Sequence, residues 1–268
     1  MKTFAAINVG SYEQTLKIYT ITKNNGIREV DWIRNRLDLG GTFATGKLSH
    51  EVMDELCAVL RNFVSIMEGY RVDDYRACAT SAIRETKNTA IVLDQIMQRT
   101  GVKLDVLSNS EQRFLDYKSI ASRGGFEKII EKGTLVLDIG GGSIQMSLFD
   151  KDKLSATQNM RLGVLRLQEK MSRLNVRPSE NGPLLEELLE AQLSVFRKMY
   201  LKDRVIENII VVDDYISALI LGKLGKVAGS GYLDRDSMAS YMNYLHDHTD
   251  MEIVRYFDTP EENVPLLR

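Results

Sequence analysis

The stretch Thr134-Leu135-Val136-Leu137-Asp138-Ile139-Gly140-Gly141-Gly142-Ser143 decides how the chain reads. It opens as an apolar run long enough for one buried strand and closes on an aspartate. Three glycines and a serine follow, and Ile144-Gln145-Met146-Ser147-Leu148-Phe149 then alternates as a returning strand. Consecutive glycines weaken a sheet, so they call for a reason. Two reasons stand open. One is a tight hairpin; the other is close backbone approach to a ligand, with N–H groups turned outward to hold an anion.

Composition narrows the classes. At 268 residues the chain has room for one large or two modest domains, each with a real core. Its net charge of −2 argues against nucleic acid as a partner, so a polyanionic ligand needs a local basic patch. No apolar run reaches membrane-spanning length. Met1-Lys2-Thr3-Phe4 runs straight into a strand-like segment without a signal-peptide pattern. Cys57 and Cys78 lie in apolar stretches and read as buried thiols of a reducing compartment, hence a cytoplasmic protein. His50, His246 and His248 are scattered, which argues against zinc.

In chain order, Phe4–Val9 is a strand ending at Gly10-Ser11, and Leu16–Ile21 and Ile27–Ile33 complete a meander. After a glycine-rich loop, Ser49 caps a helix striped by Val52, Met53, Leu56, Val59, Leu60, Phe63, Val64 and Met67. Tyr75–Thr80 is a strand, followed by a helix stopped at Gly101, a strand over 102–107, and a helix capped by Ser108 or Ser110. Beyond the opening stretch, Leu154–Met160 returns as a strand and Leu162-Gly163 leads into a helix. Pro183 is expected in the first turn of the next helix. Ile209–Val212 is a strand, Tyr215–Leu221 a helix, and Gly225, Gly229 and Gly231 a loop. Thr249 with Glu252 and Thr259 with Glu262 make capping boxes, and Pro260 and Pro265 keep the last helix short. The apolar ending Leu266-Leu267-Arg268 suggests a shortened second domain, with an exposed edge that a homodimer would cover.

The two halves begin alike. Phe4-Ala5-Ala6-Ile7-Asn8-Val9-Gly10-Ser11 and Leu135-Val136-Leu137-Asp138-Ile139-Gly140-Gly141-Gly142-Ser143 each run strand, Asx, aliphatic, glycine, serine, returning strand. This is either chance or an internal repeat. A repeat makes two related α/β domains, 1–125 and 126–268, whose hairpin turns face each other across a cleft suited to phosphate.

These residues resemble a family. Asp138-Ile139-Gly140-Gly141-Gly142-Ser143 matches the second phosphate loop of the Ppx/GppA phosphatases, which are exopolyphosphatases and guanosine pentaphosphate phosphohydrolases of the actin-like superfamily. Ala79-Thr80-Ser81-Ala82-Ile83-Arg84 with Asn88, Ser108-Asn109-Ser110-Glu111-Gln112, and Leu162-Gly163-Val164-Leu165-Arg166-Leu167 resemble that family's other motifs in order. The resemblance implies two actin-like (ribonuclease H-like) domains and hydrolysis of a terminal phosphoanhydride. It implies that Gly140, Gly141, Gly142 and Ser143 cradle the phosphate, with Gly10 and Ser11 opposite and Arg84 as a bidentate contact. A surface ion pair is the plainer reading of Arg84. Asp138 would hold a divalent cation, Mg²⁺, or orient water.

Three departures qualify this. Asn8 stands where the family's first loop has an aspartate, so it is a weak metal ligand. Gln112 occupies the place of the catalytic base glutamate, and an amide cannot take a proton from water. Glu111 is adjacent but points about 100° away on a helix; Glu13 is the one replacement carboxylate the first loop offers. Val212-Asp213-Asp214-Tyr215 lacks the glycine-rich turn of nucleotide-binding kinases of the fold. The chain therefore reads either as a weak hydrolase or as a non-catalytic sensor that kept the cradle.

Overall fold

A computed structural model describes residues 1–24, 26–174, 178–213, 234–259, 261 and 264–267. The chain separates into two compact units, Met1–Ile210 and Val211–Arg268.

The first unit opens with the antiparallel meander β1 (Lys2–Val9), β2 (Glu13–Thr22) and β3 (Gly26–Arg36). Then come α1 (Gly41–Thr45), α2 (His50–Gly69), β4 (Asp74–Ala79), α3 (Ser81–Arg84), α4 (Thr89–Thr100), β5 (Leu104–Val106), α5 (Asn109–Ser122) and α6 (Phe126–Ile130). A second meander follows: β6 (Thr134–Ile139), β7 (Ile144–Asp150) and β8 (Lys153–Met160). Helices α7 (Val164–Leu174) and α8 (Pro178–Phe196) precede β9 (Asn208–Asp213). The first sheet runs β3-β2-β1-β4-β5 and the second β8-β7-β6-β9. In each, the opening strand lies between its hairpin partner and a strand reached through helices. The repeat legible in the two hairpins thus extends to the sheet order.

Alternation and helical spacing explain the core. In β1, Ala5, Ile7 and Val9 turn inward at period two and meet Leu16 and Ile18 of β2. Ser49 accepts a hydrogen bond from Val52 N at 3.3 Å and so caps α2. Met53, Leu56, Cys57, Leu60, Phe63 and Met67 then bury one helical stripe on that sheet. The second sheet has its own core of Leu135, Met146, Leu148, Met160 and Phe196. Pro178, not Pro183, opens α8. A first-turn proline forfeits no helical hydrogen bond, whereas Pro183 lies in the second turn and does.

The second unit packs α9 (Arg235–Asp247), α10 (Asp250–Phe257) and α11 (Val264–Leu267) around Tyr241, Leu245, Ile253, Phe257, Val264 and Leu267. Tyr241 donates its hydroxyl to Leu267 O at 2.7 Å, so a buried polar tip finds a partner. Asp234 caps α9, and the Thr249–Glu252 box closes on α10. The expected helix over 215–221, the glycine loop at 225–231 and the Thr259–Glu262 box fall, wholly or in part, outside the described residues. No helix among the described residues is long and apolar enough to cross a membrane.

Candidate functional site

The β1–β2 and β6–β7 hairpins carry loops of identical construction. Gly10 N donates to Glu13 O at 3.0 Å, and Gly140 N donates to Ser143 O at 3.0 Å. The flanking pairs are Val9 with Gln14 and Ile139 with Ile144. Four-residue loops of one geometry place Ser11 at the position of Gly141, Glu13 at that of Ser143, and Asn8 at that of Asp138.

The second loop is held from one side. Val164 N donates to Gly140 O at 3.2 Å, Leu165 N to Gly141 O at 2.9 Å, and Arg166 Nε to Gly142 O at 2.9 Å. The free N–H groups at the start of α7 therefore meet the loop's carbonyls. In a planar trans peptide the N–H points opposite to the carbonyl. The N–H groups of Gly141, Gly142 and Ser143 are thus turned away from those donors, and they make no hydrogen bond within the described residues. That is the arrangement of an anion-binding nest.

The glycines are also required by packing. A Cβ on Gly142 would lie 2.4 Å from the Phe43 ring and from Ser81 Oγ, and one on Gly141 would lie 3.0 Å from Ser11 Cβ. Ser11 and Ser81 share a buried hydroxyl–hydroxyl hydrogen bond at 2.9 Å. The two loops and α3 therefore meet at van der Waals contact, and the close approach read from the glycines is, in this structure, to the protein itself.

One helical turn beyond Ser81, Arg84 brings a guanidinium to the same place. Its Nη1 donates to Leu107 O at 2.7 Å and weakly to Gln112 Oε1 at 3.4 Å. Its Nη2 is buried and has no hydrogen-bond partner among the described residues. Burial lowers the Arg84 pKa, opposed by Glu85 and Asp138, and the group stays cationic. A buried unpaired guanidinium N–H is costly unless an anion completes it.

Asp138 lies beside it. Gln112 Nε2 donates to Asp138 Oδ2 at 2.8 Å and Gln145 Nε2 to the same oxygen at 3.0 Å. Asp116, one turn along α5 from Gln112, hydrogen-bonds the same carboxyl, and a bond between two carboxyls needs a proton between them. Burial pushes the Asp138 pKa up to about 6, although the three hydrogen bonds and the Arg84 charge oppose the shift. Gln145 and Asp116 are the site residues missed from sequence. Gln145 was accessible by counting, because Asp138 and Gln145 pair across the hairpin at equal distance from the loop centre.

Other candidates are placed elsewhere. Glu111 is exposed and closes the α5 capping box, accepting from Ser108 N at 2.8 Å, so it faces the helix end and not Asp138. Glu13 is buried and bonded through both oxygens to Arg34, with Arg34 Nε at 2.8 Å, so it is no replacement carboxylate for Asp138. Asn8 pairs across β2 with Thr15 and offers a single neutral amide. Among the described residues no group of three or more His, Cys, Asp or Glu side chains is placed to hold a metal ion. With two amide N–H groups on Asp138 Oδ2 and Arg84 close by, this donor set does not fit a resident divalent cation.

The raised carboxyl pKa has a stability consequence. The folded state keeps its proton to higher pH than the unfolded chain, for which 3.8 applies. The associated stability is fully present below pH 3.8 and is lost as pH rises through about 6. Asp138→Asn, which cannot ionise, should therefore be more stable than the unmodified protein at pH 8, by on the order of 2–3 kcal/mol. The advantage should vanish at pH 4. Urea unfolding at both pH values checks this; an advantage independent of pH would refute it.

Two sheets of this repeated topology define an actin-like α/β fold. The chain superposes on an exopolyphosphatase from Cytophaga hutchinsonii with a TM-score of 0.80 at 18% identity, covering 99% of this chain and 86% of that one. A Ppx/GppA family member from Aquifex aeolicus gives a TM-score of 0.73 at 20% identity, again covering 99% and 86%. Residues 23–218 match the family model for the Ppx/GppA phosphatases, and the chain belongs to that family. It is similar to exopolyphosphatase 1 of Mycobacterium leprae, 27% identical over 154 residues, which is 57% of this chain and 44% of that protein. It is also similar to the bifunctional 3-dehydroquinate synthase/phosphatase of Fusobacterium nucleatum, 24% identical over 173 residues, which is 62% of this chain and 26% of that protein. The chain thus matches less than half the length of either relative.

Proposed function

We propose that this protein binds the terminal phosphate of a phosphoanhydride polyanion, polyphosphate or guanosine pentaphosphate, between the Gly140–Ser143 loop and Arg84, and hydrolyses it weakly or not at all. One observation carries the second clause. Where a base must accept a proton, Gln112 presents an N–H that is already given to Asp138 at 2.8 Å. The free loop N–H groups and the unpaired Arg84 Nη2 supply donors for the first clause. The division at residues 125 and 126 belongs to this reading, with each half contributing one hairpin loop. Contact between Gly141 and Ser11 means that the loops must part by about the width of a phosphate group for it to enter. Mg²⁺ would arrive on the phosphate oxygens of the ligand. The cytoplasm, as a reducing compartment, suits the buried Cys57 and half-buried Cys78 thiols.

The hydrolytic reading keeps one specific support: the Asp138 carboxyl, pushed up to about 6 by burial, is an acid–base group beside the cradle. Calorimetric titration with tripolyphosphate tests the binding claim. Arg84→Ala should weaken binding about 10–100-fold, as loss of a charge-assisted hydrogen bond does. Unchanged affinity would remove Arg84 from the site.

A further inference from the structure

The strap over residues 40–45, which carries α1, is anchored at both ends and tied by nothing polar in between. At one end Leu39 N donates to Ser11 O at 2.8 Å, and the Leu39 side chain belongs to the core of the first sheet. At the other end Lys87 N donates to Gly46 O at 2.8 Å and Asn88 Nδ2 donates to Leu48 O at 3.2 Å. Among the described residues, every hydrogen bond of 40–45 runs to a partner within 38–47. The strap ends at Gly46 with φ +72°, which glycine takes without strain.

What the strap brings to the site is one ring. The space beside Gly142 into which a Cβ would project is taken by Phe43 Cζ and Ser81 Oγ, each 2.4 Å from that point. The ring therefore fills the gap between the glycine loop and α3, the two walls of the proposed phosphate site. Arg166 stacks on it, with Cζ 4.2 Å from the centroid, and is itself fixed by Gly142 O at 2.9 Å and Glu85 at 2.7 Å. The closed position also carries a defect and a void. Thr42 is 4% exposed and its hydroxyl has no hydrogen-bond partner, a cost that water would relieve once the strap lifts. Beside residues 42–46 lies a cavity of about 270 Å³, bordered by Lys87 and Arg161, so the ring has room to move without unpacking the core.

We infer that the strap is an autoinhibitory latch: with Phe43 against Gly142 the loop N–H groups are closed to phosphate, and binding requires the ring to swing out into the adjoining cavity. The inference rests on the proposed function and adds a gate to it. A protein that must first open binds with an affinity reduced by the fraction of molecules that are open. Two substitutions then act in opposite directions. Phe43→Ala removes the ring and should tighten tripolyphosphate binding about 3–10-fold, the equivalent of losing an aromatic–guanidinium contact from the closed state. Thr42→Val keeps the shape, removes the unpaired hydroxyl from the closed state and should weaken binding about fivefold or more.

The test is calorimetry with tripolyphosphate on the unmodified protein and both variants, with thermal unfolding to show that each variant is folded. Amide hydrogen exchange over residues 40–46 of the unmodified protein is the second readout, and it does not depend on any variant folding. Exchange in the strap should quicken when tripolyphosphate is bound, while exchange over residues 141–143 slows. Weaker or unchanged binding by folded Phe43→Ala overturns the latch and leaves the proposed function standing. Strap exchange that slows or stays the same on binding does likewise. Binding by Phe43→Ala where the unmodified protein shows none supports both. If neither the unmodified protein nor Phe43→Ala binds tripolyphosphate, the proposed function falls and the latch with it.

Discussion

Gln112→Glu should convert the protein from a binder into a working hydrolase, raising phosphate release from polyphosphate about 10²-fold or more. General-base catalysis is typically worth ~10²–10⁴ in rate, and the proposed function assigns the missing term to Gln112. The substituted carboxylate would lie at hydrogen-bond distance from Asp138, where Gln112 Nε2 now sits at 2.8 Å. Two carboxylates that close cannot both ionise freely, so the pair's titration moves up toward the working pH, which favours a base. Arg84 Nη1, 3.4 Å from Gln112 Oε1, limits the cost of the added charge. Phosphate release measured with Mg²⁺ present checks this. Unchanged or lower turnover in a variant that still binds would show that Gln112 is not what limits hydrolysis.

Gly163→Ala should be the most damaging single substitution near the site. A Cβ there would lie 2.3 Å from Ser143 N and 2.4 Å from the Gly141 carbonyl, and the atoms met are backbone, which cannot rotate aside. Overpacking of this kind typically costs about 1–3 kcal/mol. The loss should not stop at stability. Gly163 precedes the residues whose N–H groups hold the loop carbonyls, so displacing it removes the restraint that keeps the Gly141, Gly142 and Ser143 N–H groups turned outward. Phosphate binding should fall at least tenfold even at a temperature where the variant is fully folded. A variant that is destabilised but binds normally would mean that α7 does not set the loop's orientation.

Much of this was legible in the chain because it is local. An apolar run ending in aspartate and glycines is a strand with a special turn, and its faded copy at Asn8–Ser11 announced the second hairpin. Ser49, Ser108 and Gly101 mark helix ends through hydrogen bonds within a few residues, and all three do so in the structure. What stayed hidden depends on partners distant in sequence. Glu13 looked available in a phosphate loop, yet the neighbouring strand brings Arg34 onto both its oxygens. Asp116 reads as one more polar residue of an amphipathic helix until the fold brings it beside Asp138. Gly163 reads as a helix leader, and nothing local says that its missing side chain is what lets Gly141 through Ser143 dock. Gln145 sits between these cases: the hairpin register places it opposite Asp138, but an inward glutamine in an alternating strand carries no mark of a site.

The central claim is that the cradle is retained while the base is gone. The measurement that bears on it most directly is single-turnover phosphate release by the unmodified protein, with the protein in excess over polyphosphate and binding verified by calorimetry in the same buffer. Binding with little or no release of phosphate is the predicted result. Prompt, complete release that is abolished by Asp138→Ala would contradict it, because hydrolysis would then proceed without a proton acceptor at residue 112.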